Sequence, residues 1–138
     1  MSLALLALML LPGASPGTQL DVGIAALRSQ KGALLVCLTR DPAHFPDCKN
    51  DPAARHLTVA AASPVIRFSD LPSGDYALSL IHDENGNGRL DMFAGIPREG
   101  IGFSRNPRLL FGPPRFSAVR FHVEGGLITQ DIRIRYFL

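Results

Sequence analysis

The sequence predicts an all-β protein, an antiparallel β-sandwich of about seven short strands with one long ordered loop, on three observations. Apolar and polar residues alternate with a period of two along several runs, and clusters of Gly, Pro, Ser, Asp and Asn separate those runs. Beyond the first residues, no segment repeats apolar residues at i, i+3, i+4 and i+7 over the length of a helix. Short strands without crossover helices point to two antiparallel sheets packed face to face. A chain of 138 residues that is 46% hydrophobic and 19% charged suits one globular domain with a real core.

The chain opens with "MSLALLALMLLPGASPG", unbrokenly apolar over residues 3–11, then small and helix-breaking residues, with no charge before Asp21. This predicts a signal peptide over residues 1–17, with a single domain over 18–138 beginning at Thr18. It departs from the usual pattern in lacking a Lys or Arg ahead of the run. Nine apolar residues fall short of the roughly 20 that a helix needs to span a bilayer, so no transmembrane anchor is expected. No lipobox cysteine follows, and the expected location is periplasmic or secreted. A net charge of +2 is far from the concentrated basic surface of a nucleic-acid binder.

Five runs then carry strand composition: "LDVGIAAL", "ALLVCLT", "LTVAAAS", "VIRFSDL" and "DYALSLIH". Near the end, "FSAVRFHV" places Val119, Phe121 and Val123 inward and Arg120 and His122 outward. The final run "ITQDIRIRYFL" sets Ile128, Ile132, Ile134, Tyr136 and Leu138 on one face, with Gln130 as the misfit. With "EGG" between them, these two read as a C-terminal hairpin. Residues 83–115 are too long for an ordinary connection, and loops of that length in compact domains are usually functional or disordered. Their apolar members Phe93, Ile96, Ile101, Phe103, Leu109, Leu110 and Phe111 predict an ordered, packed excursion.

Cys37 and Cys48 are an even pair at short separation, which in an oxidising compartment predicts a disulfide. A metal reading with His44 supplies three ligands and lacks C-x-x-C spacing.

The stretches "FSDLPSGDYALSLIHDENGNGRLD", "GIPREGIGFSRN" and "FGPPRFSAVRF" together resemble the exported bacterial family known as domain of unknown function 2141, over about residues 20–138. The part from Leu71 to Tyr76 is also similar to the strand opening of transthyretin-like and carboxypeptidase-regulatory-like sandwiches. These resemblances imply an extracytoplasmic sandwich of transthyretin-like or immunoglobulin-like form, and no activity.

In "DENGNGRLD", Asp83, Asn85 and Asn87 alternate, Gly88 follows at the sharp turn, and Asp91 comes later, as in the first nine positions of a D-x-[DN]-x-[DN]-G calcium loop. The carbonyl of Arg89 is the expected backbone ligand. Ala94 stands where such loops carry a bidentate Glu, so Glu99, Glu84 or water has to complete the shell, and weak calcium is the expected cofactor. The competing reading is a polar turn, because Asn-Gly pairs favour turns without metal. Arg98, Arg105, Arg108 and Arg115, interleaved with Phe103 and Phe111, suit an anionic ligand or an envelope partner. They suit equally a role in pinning the loop's own carbonyls.

Three functional classes follow. The first is an exported binding or structural module, and the second is an accessory domain of an envelope enzyme or transporter. The third is a hydrolase joining His82, Ser104 and an Asp, although Ser104 lacks a nucleophile elbow.

Overall fold

The computed structural model describes residues 17–110 and 112–138. The predicted signal peptide, apart from Gly17, and the predicted anchor Phe111 lie outside the described residues.

The five upstream runs form strands β1 (Thr18–Ala25), β2 (Ala33–Thr39), β3 (Arg55–Ala60), β4 (Ile66–Leu71) and β5 (Gly74–Asp83). The chain then forms β6 (Met92–Phe93), β7 (Ile96–Pro97), β8 (Gly100–Phe103), a helical turn α1 (Phe116–Val119), β9 (Phe121–Val123) and β10 (Leu127–Arg133). One sheet runs β10-β1-β4 and the other β3-β2-β5-β8, with β9 paired to the first residues of β5. The protein is an all-β, sandwich-like fold. Among the described residues no helix is long and apolar enough to cross a membrane.

Period-two patterning builds the core. Leu20 and Val22 of β1, Ile66 and Phe68 of β4 and Ile132 of β10 face Leu34, Val36 and Leu38 of β2 and Tyr76, Leu78 and Leu80 of β5. Each of these side chains, taken out of water, contributes roughly 1.5–3 kcal/mol. A smaller cluster joins Phe103 and Val119 to Phe45 and Phe116, with Phe45 ring centroids 5.9 Å from Phe103 and 6.1 Å from Phe116. Cys37 and Cys48 are bonded, with Cα atoms 6.0 Å apart, and the bridge closes the segment that carries Phe45.

Several expectations require correction. The C-terminal hairpin does not form: β9 pairs antiparallel with β5, while β10 pairs parallel with β1 from Gln19↔Leu127 to Ala25↔Arg133. "EGG" is therefore a crossover between sheets, held where Gln19 N donates to the carbonyl of Gly126 at 2.9 Å. Alternation reports which face of a strand is buried and is silent about its neighbour. Residues 116–119 are a helical turn and not strand, although Val119, Phe121 and Val123 are buried as expected; Leu138, expected inward, is exposed.

The 83–115 segment, expected as a single loop, contains three strands. Phe103 is buried there, but Phe93, Ile96 and Leu110 are exposed and do not pack inward. Strand β8 escaped the sequence reading because its inner positions are glycines. A Cβ on Gly102 would lie 2.6 Å from Ile132 Cγ2, and one on Gly100 2.6 Å from Ile134 Cγ2. Only a bare backbone lets the C-terminal side chains close over β8, where Ile101 and Arg135 exchange backbone hydrogen bonds of 3.0 and 2.8 Å and link the two sheets.

Candidate functional site: the acidic end of the sandwich

Strand β5 ends at Asp83, and the chain turns there because Asp83 caps the loop that follows. Its carboxylate accepts from the backbone N–H of Asn87 at 3.3 Å and of Gly88 at 2.8 Å. Asn85 Oδ1 accepts from Asn87 N at 3.2 Å, and Asn87 Oδ1 from Arg89 N at 3.1 Å, two successive Asx turns. Gly88 sits at φ +77, in the left-handed region open to glycine. The side-chain amides of Asn85 and Asn87 both donate to Asp91, at 2.7–2.8 Å. All five residues expected as ligands thus lie in one turn, tied together by hydrogen bonds.

Two registers add a sixth residue. Strands β5 and β8 pair His82↔Gly100, and continuing that register by one residue sets Glu99 across from Asp83. The small hairpin of β6 and β7 pairs Met92↔Pro97, and Arg98 N donates to the Asp91 carbonyl at 2.9 Å, which carries Glu99 back beside Asp91. Glu99 is 5% exposed, and no N–H or hydroxyl donor reaches its carboxylate oxygens, which face the carboxyl of Asp91 within hydrogen-bonding range. Burial, the neighbouring Asp91 carboxyl and the charges of Asp83, Asp91 and Glu84 push its pKa up to about 7. Asp91 is held below the ordinary carboxylate range by Asn85, Glu99 and Asn87.

Glu84, the other acid expected to complete the shell, is already engaged. Arg28 Nε donates to it at 2.8 Å and the Ser29 hydroxyl at 2.8 Å, and these contacts lower its pKa. Among the described residues, no three His, Cys, Asp or Glu side chains are already gathered as a cage for a metal. A cation at this end would therefore draw on amide and backbone oxygens as well, with the acids turning toward it. That is chemically open, because each Asn Oδ1 uses one of two lone pairs in its Asx turn.

The arginines are divided by β8. Arg98 and Arg105 flank opposite ends of β8. The Arg98 guanidinium lies 5.1 Å from the Phe93 ring centroid, whereas Arg105 donates to the Arg120 carbonyl at 3.5 Å. Arg108 and Arg115 are exposed in the same stretch as Arg105. Phe103 is an interior residue and offers no surface.

His82 and Ser104 are both fully buried and separately satisfied. His82 Nε2–H donates to the Lys31 carbonyl at 2.8 Å, and Nδ1 accepts from the Tyr136 hydroxyl at 2.7 Å. Ser104 Oγ donates to Val119 O at 2.6 Å and accepts from Leu78 N at 3.1 Å. Each side chain is spent on holding strands together, and no nucleophile–base pair forms between them.

Sequence reasoning passed over His122, which lies between Asp75, 2.9 Å from Nδ1, and Glu124, 3.0 Å from Nε2. Asp75, and then Glu124, raise the pKa of this exposed imidazole. A raised folded-state pKa means that the contribution to stability is fully present below the unfolded pKa, near 6.5, and is lost as pH rises through the folded value. An NMR titration of the His122 ring should show its midpoint above the ordinary histidine value, and Asp75→Asn should lower it.

Fold and site together define a small, disulfide-clipped β-sandwich with an acidic, Asn-rich turn at one end. The family model described as "Uncharacterized protein conserved in bacteria (DUF2141)" matches residues 22–131, and the chain belongs to that family. Among curated proteins and among solved structures nothing matches the chain.

Proposed function

We propose that the protein is an exported β-sandwich binding or structural module of the bacterial cell envelope, periplasmic or secreted, whose 83–99 end is ordered by weakly bound calcium. The observation that carries this reading is Glu99. The Asx turns are common to a polar turn and a calcium loop, but a polar turn has no use for a buried carboxyl that no N–H or hydroxyl reaches and that faces a second acid, Asp91, with Asp83 nearby. A hard cation accounts for it, since calcium takes six to eight oxygen ligands from carboxylates, amides and carbonyls in flexible geometry. The Cys37–Cys48 bridge supports an oxidising compartment. Exposed Met92, Phe93 and Ile96, with Arg89 and Arg98 beside them, are what this end offers to an envelope partner or an anionic ligand.

With so few carboxylates, the affinity belongs with extracellular modules, at about 10⁻⁴ to 10⁻³ M. At calcium tenfold above that constant, linkage adds about 1.4 kcal/mol to native stability. Thermal melts in millimolar calcium should exceed those in chelator by a few degrees, with magnesium much less effective, and Asp83→Asn combined with Asp91→Asn should erase the difference. Identical wild-type melts in calcium and chelator would reduce the loop to a polar turn.

A further inference from the structure

We propose that Glu99 is the closing ligand of this site, in the part that a bidentate Glu plays at the twelfth position of calcium loops, and that the ion therefore locks the base of the β6–β7 hairpin. The proposal rests on the calcium reading above and specifies what the ion does.

Counted from Asp83, the twelfth position is Ala94, exposed at the hairpin tip with φ +51, where it can contribute no side-chain oxygen. The chain instead makes a detour. Residues 92–98 run out and back as a hairpin, and the residues at its two feet are Asp91 and Glu99. Glu99 reaches the ion site through pairing with β5, not through loop spacing, since its neighbour Gly100 is locked opposite His82. Both of its oxygens are buried and reached by no N–H or hydroxyl donor; they face the Asp91 carboxyl, a contact that a cation bound by both acids would replace.

Besides the backbone bond from Arg98 to Asp91, the Arg98–Phe93 stacking and an Arg28 hydrogen bond of 3.3 Å to the Arg98 carbonyl, the hairpin has little to hold it. It consists of two residue pairs, and Met92, Phe93 and Ile96 at its tip are 52%, 55% and 41% exposed. An isolated two-stranded hairpin is marginal in water. At its feet the charges of Asp91 and Glu99 oppose one another when both are ionised, and a divalent cation bound by both turns that repulsion into a clasp. Calcium then presents Phe93 and Ile96 in a fixed arrangement, and its loss frees them.

The test uses the whole protein, with calcium as the only added ligand. Calorimetry measures affinity, and hydrogen exchange followed by mass spectrometry reads residues 92–98 in calcium and in chelator. The expected result is exchange slowed about tenfold by calcium across the hairpin, and affinity weakened at least about tenfold in Glu99→Gln, whose hairpin no longer responds. Calcium binding undiminished by Glu99→Gln, or binding that leaves hairpin exchange unchanged, overturns this proposal and leaves the calcium reading standing. Absence of binding to the wild type overturns both. Glu99→Gln is nearly isosteric, and an unchanged far-ultraviolet spectrum verifies its fold.

Discussion

Replacing Cys37 and Cys48 with serine is expected to lower the free energy of unfolding by about 3 kcal/mol, from the chain entropy returned to the unfolded state when a loop of this size opens. The two cysteines are 11 residues apart, and the segment between them carries Phe45 onto Phe103 and Phe116. The Ser79 hydroxyl also donates to the Pro46 carbonyl in that segment. Opening the bridge therefore loosens the cover of the smaller core as well as enlarging the unfolded ensemble. Urea unfolding of the oxidised wild type and the double-serine variant measures the difference, which should come with a lower midpoint and a somewhat steeper slope, as the unfolded chain without the cross-link expands. An unchanged midpoint would show that packing of Phe45 alone holds the segment.

The second large effect differs in size between two solutions. In chelator, Glu99→Gln is expected to raise stability by roughly 1–3 kcal/mol, because a buried carboxyl facing the like charge of Asp91 is replaced by a neutral amide able to donate to Asp91. In millimolar calcium the same variant forfeits the stabilisation that the wild type draws from the ion. Denaturation curves of both proteins in both solutions give the four values needed. A variant destabilised equally in calcium and in chelator would mean that Glu99 is an ordinary packing residue.

Much of the sandwich is legible in the sequence because its strands are short apolar or alternating runs bounded by turn residues, and β2 and β5 are buried on both faces over most of their length. "ALLVCLT" and "DYALSLIH" became β2 and β5, and the inward positions Leu34, Val36, Leu78 and Leu80 are buried. Strand partnership is not written in alternation, so the final strand was expected to pair with its predecessor and pairs with β1 instead. Strand β8 was hidden for a related reason. Gly100 and Gly102 are read as breakers until the side chains of Ile132, Ile134 and Tyr136 are seen to occupy the space a Cβ would need.

The candidate site divides in the same way. Asp83, Asn85, Asn87 and Asp91 are local, and their spacing shows them. The choice among Glu84, Glu99 and water was open in the sequence because it turns on long-range contacts. Arg28 and Ser29, more than fifty positions before Glu84, occupy that acid, whereas two registers meeting at the end of β5 leave Glu99 buried against Asp91, with no N–H or hydroxyl donor. Arg98 is set apart from Arg105 because a sequence window of interleaved Arg and Phe does not show that a strand, β8, stands between them.

The most direct test of the central claim is a crystal structure of the protein grown in millimolar calcium, with the ion located by its anomalous signal. The account predicts one calcium at the end of β5, bound at about 2.3–2.6 Å by carboxylate oxygens of Asp83, Asp91 and Glu99 together with oxygens of Asn85, Asn87 and the Arg89 carbonyl. A loop without an ion in those crystals, with Glu99 hydrogen-bonded to Asp91 as a neutral acid, would contradict it.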